Sequence, residues 1–141
     1  MTRARARRAF PHSTRRSHRN VDSFCLTPNG IRVAYPSSAL LGKLSPKVRK
    51  HVRGKVILAL TANRHYSLKR VKPGTRLATV ARRLRTGKGL RLGGSTWYLV
   101  AAGRSRGVLE VRHGKIQEIG IAERSLTPGR AAARRLFTSA A

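Results

Sequence analysis

Thr96-Trp-Tyr-Leu-Val-Ala101, Gly107-Val-Leu-Glu-Val-Arg112 and Lys115-Ile-Gln-Glu-Ile-Gly-Ile121 follow one another closely, each apolar-rich and of strand length. The last two are separated by His113-Gly114, a dipeptide suited to a tight two-residue turn. Three consecutive strands with short connections predict an antiparallel meander.

Just upstream, Leu77, Val80, Ala81 and Leu84 fall at i, i+3, i+4 and i+7, one apolar stripe of a helix from about Thr75 to Thr86. Gly87 is its expected stop, and Arg76, Arg82, Arg83 and Arg85 take the other faces. Asn63 to Gly74 reads as a loop. Val56-Ile-Leu-Ala-Leu60 is a continuous apolar run of strand length, the pattern of a strand buried on both faces. Ser45-Pro46 joins a cap to a first-turn proline, with Val48 and Val52 one turn apart and Gly54 as the stop. Ser37 is placed to cap a shorter helix through Leu40, Leu41 and Leu44, and Gly30 to Tyr35 alternates like a strand before Pro36. Downstream, Thr127-Pro128 repeats the cap-plus-proline device before a last helix carrying Leu136 and Phe137.

The resulting order, β–α–α–β–α–β–β–β–α, predicts a small single α+β domain over residues 23–141. Its antiparallel meander would hold three to five strands, packed on two or three short helices. Residues 1–22 are Arg-, Ser- and His-rich, with Phe10 the one large apolar side chain before Val21 apart from Met1. Such a segment buries too little surface to order itself and is expected to be a disordered basic arm.

Charge dominates the composition: 32 Lys+Arg stand against 4 Asp+Glu in 141 residues, a formal net charge of +28. The excess is uneven, because residues 61–93 carry ten cations and no acid. A charge of this size attracts polyanions and repels itself. Arg64, Lys69, Arg70, Lys72, Arg76, Arg82, Arg83, Arg85, Lys88 and Arg91 are therefore the candidate contacts to phosphates of RNA or DNA. Arg outnumbers Lys by 24 to 8, as a GC-rich genome would also produce, so basicity of purely compositional origin stands beside that reading.

Catalytic and metal motifs are thin. Thr86-Gly-Lys-Gly-Leu-Arg-Leu-Gly-Gly94 lacks the Gly and the Ser/Thr that a phosphate-binding P-loop requires, since Arg82 and Gly89 occupy those places. One hairpin register would set Glu110 opposite Glu118. Like charges so placed are unfavourable, and Leu109 and Val111 share a face whereas Ile116 and Ile119 do not. Both acids are expected instead to pair with Arg112, Lys115 or Arg106 on a solvated face. The five His are scattered without metal-ligand spacing. Cys25 is the one cysteine, which excludes an internal disulfide and is expected as a small buried hydrophobe. No catalytic residue, cofactor or metal is assigned, and no apolar run approaches a membrane span. Residues 1–20 lack the apolar stretch of a secretory signal. An export signal upstream of Met1 would place the protein outside the cell, and a true start there would leave it in the cytoplasm.

Phe24-Cys-Leu-Thr-Pro-Asn-Gly-Ile-Arg-Val, Tyr35-Pro-Ser, Leu60-Thr-Ala-Asn-Arg and Lys72-Pro-Gly-Thr-Arg-Leu-Ala-Thr-Val form a set with Trp97-Tyr and Val111-Arg-His-Gly-Lys-Ile-Gln-Glu-Ile-Gly-Ile-Ala. Together they resemble a group of uncharacterised Arg-rich proteins of high-GC bacteria. The resemblance implies export and brings no activity. Pro73 to Ala122 is more loosely similar to the helix-plus-meander module of the β-lactamase-inhibitory-protein type and of small outer-membrane assembly lipoproteins. This chain has Leu84-Arg-Thr-Gly87 where those modules often carry Leu-Gly-x-Pro. That second resemblance implies a binding or scaffold unit. The expectation is a non-enzymatic structural or protein-interaction module whose contact face is the meander, with a polyanion-binding protein as the alternative.

Overall fold

His113 and Gly114 turn the chain with φ of 49° and 71°, the paired positive values a tight hairpin turn demands. From this turn β7 (Ser105–Arg112) and β8 (Lys115–Ala122) run antiparallel. Val111 pairs with Ile116 but Glu110 pairs with Glu118, so Gln117 is an extra residue on β8. This bulge resolves the conflict in the sequence pattern. It rephases the strand so that Ile116 and Ile119 point to one face, where they pack with Leu109 and Val111.

The computed structural model describes residues 1–25 and 30–140. Their strands form one eight-stranded sheet, antiparallel at every pairing. Besides β7 and β8 these are β1 (Arg15–His18), β2 (Val21–Phe24), β3 (Ile31–Ala34), β4 (Leu58–Thr61), β5 (Leu90–Leu92) and β6 (Ser95–Ala102). The order across the sheet is β1-β2-β3-β4-β8-β7-β6-β5. The expected meander of three to five strands on two or three helices is therefore corrected to a larger sheet with five helices, still α+β. Three strands escaped the reading. β1 lies in the segment expected to be disordered, β2 starts in it and runs past its end, and β5 is a three-residue strand inside the Gly-rich connector.

The first 22 residues are structured by contacts that composition does not reveal. α1 (Arg3–Ala9) is capped by Thr2 and lays Ala6, with no exposed surface, against the sheet. Phe10 packs on Phe24 with ring centroids 4.8 Å apart and the planes tilted by 32°. The Met1 carbonyl accepts from the Val56 N–H at 2.8 Å.

α2 (Ser38–Gly42) and α3 (Pro46–Val52) start where the serines predict, at Ser37 and Ser45. Along with α5 (Arg130–Ala140) they cover one face of the sheet, burying Leu58, Leu60, Val108 and Ala122 under Leu136 and Phe137. Thr127 does not cap α5. Its hydroxyl donates back to the Glu123 and Arg124 carbonyls of a 3-10 turn over Arg124–Leu126. On the opposite face, α4 (Leu77–Leu84) and the segment before it pack Val71, Val80 and Leu84 on β6, β7 and β8. α4 ends at Arg85, whose left-handed φ of 51° makes the cap expected near Gly87. α1 covers the far end of that face, beside Phe24, Val33 and Tyr35. Cys25 is exposed with φ of 57°, against the expectation of a buried hydrophobe.

Candidate functional site

Burying Val80 and Leu84 turns the remaining sides of α4 outward, and those sides carry Arg76, Arg82 and Arg83. All ten predicted contacts are exposed: Arg64, Lys69, Arg70 and Lys72 on the β4–α4 connection, Arg76, Arg82, Arg83 and Arg85 on or at the ends of α4, and Lys88 and Arg91 on the way into and along β5. No ion pair with an acid involves any of them among the described residues. The layer is tied together by hydrogen bonds to carbonyls, which leave its charge intact. Arg83 donates to the Lys69 carbonyl at 2.9 Å and Arg64 to that of Pro73 at 3.2 Å.

The four acids lie elsewhere. Asp22 is wholly buried beneath α1, where Arg3 (2.6 Å) and Arg7 (3.0 Å) converge on its carboxylate. Burial alone would push this carboxyl up. Hydrogen bonds from Arg3, Arg7 and Ser17 outweigh it, aided by the Arg3 charge, and hold it well below the usual range. Tyr35 reaches the same carboxylate at 3.4 Å, and burial beside that charge pushes its hydroxyl up to about 12. Glu123 caps the 3-10 turn and faces His51 at 3.6 Å.

Glu110 and Glu118 do sit opposite each other, on the face beneath α5. Neither takes the partner expected from sequence. Arg32 of β3 reaches across to Glu118 at 2.5 Å, and the Ser95 hydroxyl donates to Glu110 at 2.6 Å. Burial raises the Glu118 carboxyl; Arg32 pulls it back, and Glu110 alongside adds to the rise. Glu110 and Arg32 line a cavity of about 560 Å³ that also meets Trp97, Phe137 and Leu60. Arg32 and Ser95 were missed as partners, because only the sheet order brings β3 within reach of β8. The Gly-rich connector does not form a phosphate loop: it holds β5 and the two-residue turn Gly93-Gly94.

A second cavity, of about 510 Å³, opens on the α4 side between Leu77, Thr96, Tyr98 and the two turns Gly93-Gly94 and His113-Gly114. Arg91, Arg112 and His113 line it, with no carboxylate among its walls, and it shares Gly93, Gly94, Ser95 and Arg112 with the cavity beneath α5. An apolar crevice of about 180 Å³ lies between Ile31, Ala59, Leu68 and Ile121, with Tyr66 at its side. Among the described residues no His/Cys/Asp/Glu group is placed to hold a metal ion, and no helix is long and apolar enough to cross a membrane.

No protein-family model matches the chain, and no curated protein matches it in sequence. Among solved structures, the fold is similar to that of an extracellular protein containing an SCP domain from Bacillus anthracis str. Ames. The TM-score is 0.51 at 10% identity, covering 88% of this chain and 43% of that one. This chain thus spans less than half the length of that protein, and at such identity the likeness is one of fold alone.

Proposed function

We propose that the protein binds polyanions, nucleic acid foremost, through the layer built on α4 and the connections on either side of it. One observation carries this reading: all ten cations of residues 61–93 are exposed on one stretch of chain that contains no acid. A compositional excess spread at random would place some of them against Glu110, Glu118 or Glu123. Instead those acids take partners from other parts of the chain, namely Arg32, Ser95 and His51. Each phosphate neutralised releases condensed counterions, so affinity should fall steeply with salt.

The test is binding of RNA, duplex DNA and heparin across a salt series, with wild type and the Arg76→Gln/Arg82→Gln/Arg83→Gln variant. The triple variant should flatten log K against log [salt] by roughly one unit per lost contact. An Arg135→Gln variant on α5 should leave the slope unchanged. Equal slopes for wild type and the triple variant would overturn the reading.

A second reading, an interaction module of an exported protein, draws on a different observation. The apolar crevice is flanked by Tyr66 and Ile121, each about half exposed at 48% and 49%. Salt-insensitive behaviour of the α4 variants would move weight to this reading.

A further inference from the structure

We propose that the cavity beside α4 receives an unpaired nucleotide, with its base on Tyr98 and its phosphate among Arg91, Arg112 and His113. This rests on the polyanion reading and narrows it to single-stranded nucleic acid.

The cavity is built from side chains that suit such a group. At about 510 Å³ it falls within the roughly 300–1,000 Å³ of small-ligand clefts. Its one aromatic, Tyr98, is half-buried and held from behind: a Cβ on Gly89 would come within 2.8 Å of Tyr98 Cζ, so the backbone there lies against the ring. An aromatic fixed in this way offers a stacking surface to any base, whatever its identity. Around it the walls provide two guanidiniums and an imidazole without an opposing carboxylate. Glu110 is not among these walls, although Ser95 and Arg112 line this cavity as well as the one beneath α5, and the Ser95 hydroxyl donates to the Glu110 carboxylate at 2.6 Å.

The rim is also fixed in place. The Leu77 N–H donates to the Gly114 carbonyl at 2.9 Å, and the Ile116 N–H donates to that of Thr75 at 2.9 Å. The His113-Gly114 turn is thereby anchored to the start of α4. Arg112 donates to Ser95 at 3.4 Å from the opposite side. Gly93 and Gly94 bring no side chain to the mouth. Leu77, the first residue of α4, is itself a wall, so the cavity is continuous with the charged layer that would hold neighbouring phosphates. A duplex keeps its bases stacked and paired and could present only phosphates here. A single strand can present a base as well.

The experiment measures binding of the full chain to a single-stranded RNA, a single-stranded DNA, a duplex of the same length and heparin at physiological salt. Wild type should prefer both single strands over the duplex by about tenfold, and Tyr98→Phe should keep that preference. Tyr98→Leu should lose about tenfold on the single strands with duplex and heparin unchanged. Because Tyr98 also packs on the core, Gly94→Leu provides a second variant. Gly94 is outside the left-handed region and an added Cβ there meets only the Arg112 guanidinium, at 4.0 Å, so the fold accepts a side chain that fills the mouth. It should show the same selective loss. If Gly94→Leu leaves single-strand affinity unchanged, or wild type binds duplex and single strands alike, the nucleotide site is overturned and the polyanion layer stands. If nothing binds with a salt dependence, both fall.

Discussion

Two guanidiniums converge on the buried Asp22 carboxylate, and a third group, the Tyr35 ring, lies under Arg3 at 4.8 Å. Asp22→Asn keeps the volume but leaves Arg3 and Arg7 facing a neutral amide. We expect a loss of about 2 kcal/mol, seen as a lower urea midpoint, because hydrogen bonds between charged groups contribute more than neutral ones. The folded-state depression of the Asp22 carboxyl fixes the sign of the pH effect. Its contribution is present above the unfolded carboxylate range near pH ~4 and is lost as pH falls below it. Glu118 works in the opposite sense, since its carboxyl is raised. A carboxyl NMR titration should place it above the ordinary glutamate, and Arg32→Ala, which removes the cation pulling it down, should move it higher still. No rise on Arg32→Ala would show that the ion pair is not formed in solution.

Among the elements, β8 offers the sharpest contrast between pattern and structure. A one-residue deletion in a strand normally flips every side chain beyond it. Here deleting Gln117 removes the bulge, giving Ile116-Glu-Ile with both isoleucines still on the core face. Thermal unfolding and near-UV circular dichroism should show the deletion folded, whereas an alanine inserted after Gln117 should cost the packing of Ile116 against Ile119 or of the strand end. If the deletion unfolds the chain, the bulge is needed for twist and not only for phase. The bulge explains what could be read from sequence and what could not. Strong periodicity and serine caps made α2, α3, α4 and the three meander strands legible, since those signals are local. β1 and β2 were not, because their order comes from Asp22 meeting Arg3 and Arg7 across 19 and 15 residues. The carboxyl pair was legible only as one of two registers, and Arg32 not at all. The ten basic positions could be named in advance because exposure is the default for Arg and Lys. That Arg83 ties the Lys69 loop to α4 is a property of the tertiary structure.

For the whole molecule, +28 on 141 residues means that folding brings like charges together. Raising NaCl from low to physiological strength shortens the screening length from about 30 Å at 0.01 M to about 8 Å. The melting temperature should therefore rise over that range, and heparin should raise it further by binding the folded state. A melting temperature that falls with salt would mean that the Asp22 and Glu118 ion pairs outweigh the general repulsion. The sheet has two open ends, and its cations bear on them as well. β1 is the outermost strand at one end, Arg15-Arg16-Ser17-His18, exposed at all four positions, while β5 at the other end is three residues long with Arg91 at its centre. Unpaired strand edges recruit further strands and seed aggregation, and positive charge or brevity on an edge prevents it. The same arginines that invite a polyanion thus keep eight strands from becoming a template for a ninth. Neutralising Arg15 and Arg16 should then show itself first as loss of solubility.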